Sequence, residues 1–474
     1  MYTFFIALFL LLAGFAVYGR FVERIFKPTD CPTPATTMAD GVDYVEMPTW
    51  KIFLIQLLNI AGPGPIFGAL MGAVFGPVVF IWIVCGCILG GAVHDYCSGM
   101  ISIRNRGCDL SEIVGENLGG LMRKIMAAVI VVLMTLVGAV MVMSPAALLA
   151  MLTPETLGLS FWAVVIFIYY VIATILPIDK VIGRIYPVFG FVLILMVLLI
   201  GGGIILEGYE IPELVFENQH PDLPVWPFMF ITVACGAISG FHATQSPIMA
   251  RCMRKETDGR KVFYGAMIME GIIALVWAAA GMAFYDSSLS LHDALATMGQ
   301  SGVVYEISTT LLGAVGGILA IVGVIVCPIS SGDTAFRAAR ITLADTLHLD
   351  QRKLKNRLVL AVPLLVASAV LTQVDFDIVW RYFSWVNQSL SMITLWAVSV
   401  YLARHVKRGY SLVAALPATF MSGVCSTYIL MAPEGLGLAA SVAYPLGLVF
   451  ALTCLAVFMF RVYARAGGRE ASAA

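Results

Sequence analysis

The sequence predicts an all-α integral membrane protein of about thirteen transmembrane helices, ten of which form two five-helix repeats of opposite orientation, each opened by a discontinuous helix. Three observations predict it. Hydrophobic residues make up 60% of 474 positions against 12% charged, with a mean hydropathy of +0.93, a balance that suits a chain solvated by lipid. Lysines and arginines collect in alternate segments between apolar runs. Two apolar runs are interrupted, by Gly62-Pro63-Gly64-Pro65 and by Gly236 to Pro247. Such breaks remove helix propensity and backbone donors, which a membrane tolerates only where the freed groups face protein or a water-filled cavity.

The apolar runs fall at 2–18, 52–74, 77–97, 126–149, 161–177, 187–206, 227–249, 262–285, 308–329, 357–372, 383–402, 410–430 and 438–460. At 1.5 Å per helical residue, most reach across ~30 Å of hydrocarbon, with 161–177 and 357–372 the shortest. The first run has no basic residue before it and is followed by Arg20, Arg24 and Lys27, so it reads as a retained span with its N-terminus outside and not as a signal peptide. The second run holds the first break. The third carries His94 and Asp95 near its inner end, and the eighth carries Glu270 near half depth. The seventh holds the second break. The ninth closes at Pro328. In the eleventh, Asn387, Gln388 and Ser389 suit helix–helix hydrogen bonds. Just before and within it, Trp380, Tyr382, Phe383 and Trp385 suit an outer aromatic belt that can double as an external gate.

Counting from an outside N-terminus, all of the 28 basic residues except Arg381 lie in inner segments: Arg20 to Lys51, Arg104 to Lys124, Lys180 and Arg184, Arg251 to Lys261, Arg337 to Arg357, Arg404 to Arg408, and Arg461 to Arg469. The 207–226 loop carries Glu207, Glu210, Glu213, Glu217 and Asp222 without one Lys or Arg, as an external loop should. One missed span would scramble this alternation. The chain then divides into a first span with its inner loop (1–50), a first repeat (51–206), the acidic external loop (207–226), a second repeat of opposite topology (227–402), and two further spans with a short cytoplasmic tail (403–474).

Ten cysteines lie in or beside apolar spans or in inner loops, with no CxxC pair, and read as free thiols in place of disulfides or a metal site. No HExxH or GxSxG motif points to an enzyme, and no basic patch with interleaved aromatics points to nucleic acid. The partners expected are a small-molecule substrate and the lipid bilayer.

Paired breaks in the two halves of a membrane chain mark a transporter's binding site. Gly62, Pro63, Gly64 and Pro65 expose peptide groups whose partial charges suit a substrate carboxylate, or simply allow close helix packing. At the second break, Gly240, His242, Thr244, Gln245 and Ser246 offer donors to a carboxylate or ketone, or bonds between helices. His94 and Asp95 suit a proton relay or inner gate, with His94 or Arg104 partnering Asp95, or a structural ion pair. Glu270 suits a proton carrier, or a partner for Arg251 or Arg254. Ser330, Ser331 and Asp333 suit an ion or proton site, while Asp333 also reads as the cap of the segment running to Arg340.

Several stretches, among them Thr33 to Ala35, Asp40 to Tyr44, Ile60 to Pro65, Gly91 to Tyr96, Ser102 to Arg104, Gly240 to Pro247, Asp333 to Arg337 and Trp380 to Phe383, resemble the carbon starvation protein A (CstA) family. The resemblance implies a prokaryotic inner-membrane transporter similar to members that take up pyruvate with protons or are linked to peptide uptake. It also implies the five-plus-five fold of the leucine transporter, in which the ninth span and the first broken one hold a Na⁺; no cofactor is expected beyond such a bound Na⁺, which a proton on Asp333 can replace. The sequence departs from long members of the family in lacking their C-terminal extension. Where they carry His-His-Phe before the first break, it has Ile55, Gln56 and Leu57.

The expected function is secondary active import of a small carboxylate-bearing solute, pyruvate-like or a short peptide or amino acid, by H⁺ or Na⁺ symport with alternating access. A passive channel or a membrane nutrient sensor is the alternative. The expected location is the prokaryotic cytoplasmic membrane, with the N-terminus outside and the C-terminus inside.

Overall fold

The computed structural model describes residues 1–41, 43–175, 178–351 and 353–464, with side chains except those of 174–185 and 463–464. Val42, Arg352, Arg465, Arg469 and the last two residues of the 161–177 run lie outside the described residues, as do the side chains of Lys180 and Arg184. Among the described residues there is no β-strand, only a single bridge between Met47 and Met253.

Among the described residues, ten helices are long and apolar enough to cross a membrane, and the bent pair Thr49–Ile60 and Gly64–Ala73, which turns by 58° at the first break, makes an eleventh. The expected thirteen exceeds this count at two places. The helix Leu159–Ile175 is a short span of 17 residues. The second broken run consists of helical turns over 225–232 and the helix Gly240–Ala250, neither long enough to cross alone. Elsewhere the helices overrun their apolar cores. Tyr2–Phe26 extends the 2–18 run past Arg20 and Arg24, and Ser288–Leu347 contains the 308–329 run within 60 residues. That long element is bent at Gly299 and Gly313, where φ of 69° and 65° lies in the left-handed region that glycine alone adopts without strain.

Burial sorts the spans into centre and rim. The most apolar stretch of Ala440–Val462 is only 22% buried, and Leu446, Val449 and Leu452 face outward, as lipid contact allows. Val79–Arg104 and Glu256–Phe284 are 78% and 83% buried and form the centre. These two carry the intramembrane carboxylates Asp95 and Glu270. The sites hardest to solvate are thus surrounded by protein on all sides.

Polar contacts at the two ends follow the charge alternation. The terminal ammonium of Met1 lies 2.5 Å from Glu213 and donates to the Ile211 carbonyl at 2.7 Å, so the chain start and the acidic 207–226 loop share one face. On the other face Arg104 pairs with Glu256, Arg260 with Glu23 at 2.7 Å, and Arg254 with Glu46 at 2.8 Å. All ten cysteines are free.

Candidate functional site

The two breaks touch. At the first, Ala61 leaves the helical region with ψ of 50°, and the chain resumes a wide helical turn at Gly64. At the second, Val233 turns out with ψ of 68°, Ser239 is extended, and the helix restarts at Gly240. A Cβ placed on Gly64 would sit 2.4 Å from the Cβ and Sγ of Cys235, and one on Gly236 would lie 3.8 Å from the Pro65 Cα. Glycine is needed at Gly64 because the backbones of two broken elements pass within side-chain thickness.

The helix start at Gly240 is already occupied by protein. Asn387 accepts from the Phe241 amide at 2.7 Å through Oδ1 and donates to Ser239 Oγ at 2.9 Å. Asn387 therefore ties the eleventh run to the second break as a helix–helix bond, as its residue type suggested, and Gln388 does likewise by donating to the Phe230 carbonyl at 3.2 Å. At the first break, by contrast, Asn59, at the end of the preceding helix, is fully buried with both side-chain polar atoms unpartnered.

Beside the breaks, four ionisable side chains form a buried chain of contacts. His94 Nδ1 lies 2.8 Å from Asp95 Oδ1, Asp95 Oδ2 lies 3.5 Å from His242 Nδ1, and His242 Nε2 lies 3.3 Å from Glu270 Oε2. All four side chains have no solvent exposure. His94 is also held between the Gly91 and Ser239 carbonyls, each at 2.8 Å. The carboxylates and imidazole of Asp95, His242 and Glu270 attract one another without an aligned hydrogen bond, so each retains capacity for a further partner. Histidines and carboxylates alternate, so the chain can be neutral as a whole and gains a charge when one proton joins or leaves.

These contacts correct several expectations. Arg104 does not partner Asp95; it pairs with Glu256 and donates to the Phe26 carbonyl at 2.7 Å. Neither Arg251 nor Arg254 meets Glu270, since Arg251 donates to the Gly107 carbonyl and Arg254 pairs with Glu46. Asp333 is no helix cap, because Ser288–Leu347 continues through it; it accepts from Tyr186 at 2.9 Å, whose hydroxyl also meets Tyr169 at 3.0 Å. Trp380 and Phe383 are not an interfacial belt. They are 5% and 1% exposed, with Trp380 packed against Phe67 just after the first break.

The other expected residues divide between local bonds and the site. Ser331 Oγ donates to the Leu58 carbonyl at 3.2 Å and faces Gly62, whereas Ser330 Oγ bonds within its own helix to Cys327. Thr244 and Ser246 donate to the carbonyls of Phe241 and His242 in their own helix. Gln245 donates to Thr244 at 3.0 Å while its Oε1 is buried and unpartnered. Gln56, the residue standing in the altered His-His-Phe position, donates to Ser246 at 3.3 Å and thus links the two broken spans. Reasoning from sequence gave no role to Asn59, Cys235 or Tyr186. Asn59 alone left a signal, a polar side chain at the edge of a break.

The fold and this buried polar centre suit a membrane transporter, and the named relatives of the chain are a transporter and a symporter. Solved structures with the same fold include MhsT in complex with L-phenylalanine (TM-score 0.58, 16% identity, covering 88% of this chain and 99% of that one). Another is Mhp1, a nucleobase-cation-symport-1 family transporter (TM-score 0.55, 16% identity, 88% and 93%). At such identities the likeness concerns the leucine-transporter fold alone. The family model for carbon starvation protein CstA matches residues 1–157 and 150–289, and the chain belongs to that family. It is 41% identical over 350 residues to an uncharacterized membrane protein of Haemophilus influenzae, covering 62% of this chain and 94% of that one. It is 28% identical to the peptide transporter CstA of Bacillus subtilis (65% and 64% covered). It is 26% identical to the pyruvate/proton symporter BtsT of Escherichia coli (56% and 46%). The match thus spans about half to two thirds of the length of these two named transporters.

Proposed function

We propose that this chain is a secondary active importer of the prokaryotic cytoplasmic membrane, with its N-terminus outside and C-terminus inside, that carries a small carboxylate-bearing solute together with protons. The observation that carries this reading is the buried His94, Asp95, His242, Glu270 chain, which meets the second break where His94 contacts the Ser239 carbonyl. Within Gly62 to Pro65 the two prolines have no N–H and the Gly62 amide donates to the Ile60 carbonyl at 2.9 Å, so the Gly64 amide, with the Asn59 side-chain amide, receives the carboxylate. His242 stands on the helix that follows the second break, so it senses both the solute and the proton held with Asp95 or Glu270. Gly240, Thr244, Gln245 and Ser246 shape that helix, with Gln245 the member that retains a free acceptor. Alternating access rocks the second, third, seventh and eighth runs against the rest. A relative named for pyruvate and protons, and others named for peptides, support this class of solute.

A second reading has its own observation. Ser331 Oγ and the Leu58 carbonyl converge from two elements beside Gly62, and hydroxyl and carbonyl oxygens are hard ligands suited to Na⁺. Asp333 serves there as an alternative proton carrier. The test is uptake of labelled pyruvate, a dipeptide and amino acids into proteoliposomes with an imposed pH or Na⁺ gradient. Accumulation of one carboxylate under the pH gradient alone is expected. Accumulation under Na⁺ alone selects the second reading, and equilibration that an uncoupler leaves unchanged identifies a facilitator.

A further inference from the structure

We propose that Cys235, His242 and Glu270 form a site for a soft divalent metal ion of the Zn²⁺ or Cd²⁺ class. One ligand atom from each, a thiol sulfur, an imidazole nitrogen and a carboxylate oxygen, lies within 4.8 Å of the other two, and all three residues are buried. Sulfur, nitrogen and oxygen donors together are the mixed set that Zn²⁺ accepts, with bonds of about 2.0–2.3 Å, so the three atoms close on a common ion by moving roughly 1 Å each. Neither His242 nor Glu270 makes an aligned hydrogen bond at these atoms, and both are fully buried.

The surroundings suit a ligating histidine. With Nε2 toward Glu270, the opposite nitrogen of His242 faces Asp95 Oδ2 at 3.5 Å, the carboxylate–histidine arrangement that orients the ring of a metal ligand. Cys235 lies in the irregular segment of the second break, and its Sγ is only weakly engaged, 3.6 Å from Ser239 Oγ and 3.7 Å from Asn387 Nδ2. On binding, the thiol gives up its proton to solvent and the thiolate takes the metal. The ion would then tie the second break and the helix after it to the central span Glu256–Phe284, holding still the elements that alternating access must move.

The assay needs no gradient and no transport, so its outcome is separate from that of the importer reading. The full chain, purified in detergent with the exposed Cys31 and Cys85 changed to Ser, is titrated with Co²⁺ alone, then with Cd²⁺ in competition. One equivalent of Co²⁺ is expected, with a thiolate charge-transfer band in the near ultraviolet that Cys235→Ser removes. Glu270→Gln, which keeps shape, should weaken binding at least tenfold while retaining the band, and carries the test should Cys235→Ser fail to fold. No saturable Co²⁺ or Cd²⁺ binding, a band that survives Cys235→Ser, or an affinity unchanged in Glu270→Gln would overturn the proposal.

Discussion

Gly62 and Gly64 stand two residues apart in the first break, yet a methyl group meets different neighbours at each. At Gly64 it overlaps Cys235 at the Cβ, an atom that cannot swing aside without moving backbone; at Gly62 it meets the mobile Cε of Met141 at 2.5 Å. Gly64→Ala should therefore lower uptake at least tenfold at equal expression, Gly62→Ala only a few-fold, as measured by labelled-solute uptake against surface-corrected protein. Equal losses would place the constraint in backbone conformation and not in the approach of the two breaks. The need for glycine here was legible from sequence; the neighbour that imposes it was not. The pairing of His242 with Glu270 was likewise hidden, because it depends on which faces of two helices turn toward each other, and nothing in a span's apolar pattern records that when the span is buried on every side. The residues themselves stood out, since an ionisable group in an apolar run is exceptional.

Among the elements, the helix after the second break depends on a neighbour for its start. With Asn387→Ala, the Phe241 amide and Ser239 lose their partner inside a dry interior, at a cost of about 1–3 kcal/mol. A lower melting temperature in detergent, read by loss of the monodisperse chromatographic peak, is the expected outcome, together with reduced uptake. An unchanged melting temperature would mean that water replaces the amide. Asp333 shows the opposite limit of local reasoning. Ser-Ser-Gly-Asp-Thr has the residue types of a helix end, but the helix runs on to Leu347, with Asp333 bonded across to Tyr186. Tertiary packing overrides a capping preference worth about 1 kcal/mol. Trp380 misled for the same reason: proximity to a span end suggested the interface, and packing on Phe67 turned it inward.

At the scale of the whole molecule, the face bearing the basic segments is closed by the loop before the first broken span. Asp43 lies 3.5 Å from Arg337 and 3.8 Å from Arg340, while Arg251 stacks on Tyr44 at 5.1 Å. Burial alone would raise the Asp43 carboxyl, but the guanidiniums of Arg340, Arg337 and Arg251 outweigh it and hold the pKa below the usual carboxylate value. Its contribution to stability is therefore complete above about pH 4 and is lost as pH falls through the lower, folded value. Asp43→Asn should remove that acid limb from a melting-temperature profile and leave the shape of the uptake profile between about pH 5 and pH 8 unchanged. A shifted uptake profile would assign the coupling proton to this loop contact instead of the buried centre. Charge alternation had indicated which segments share a face, and the contacts of Met1 with Glu213 on one side and Arg104 with Glu256 on the other agree with it. It gave no sign of this lock, which joins loop and helix residues some 294 positions apart.

In the proposed cycle the proton moves with the solute through Glu270 and His242. Proteoliposomes carrying a luminal pH dye test it directly, with the transported carboxylate added outside and no gradient imposed. The account requires the lumen of wild-type vesicles to acidify as solute enters, and Glu270→Gln to abolish acidification while still exchanging labelled for unlabelled solute. Acidification of equal rate in Glu270→Gln, or solute entry into wild-type vesicles without acidification, would contradict it.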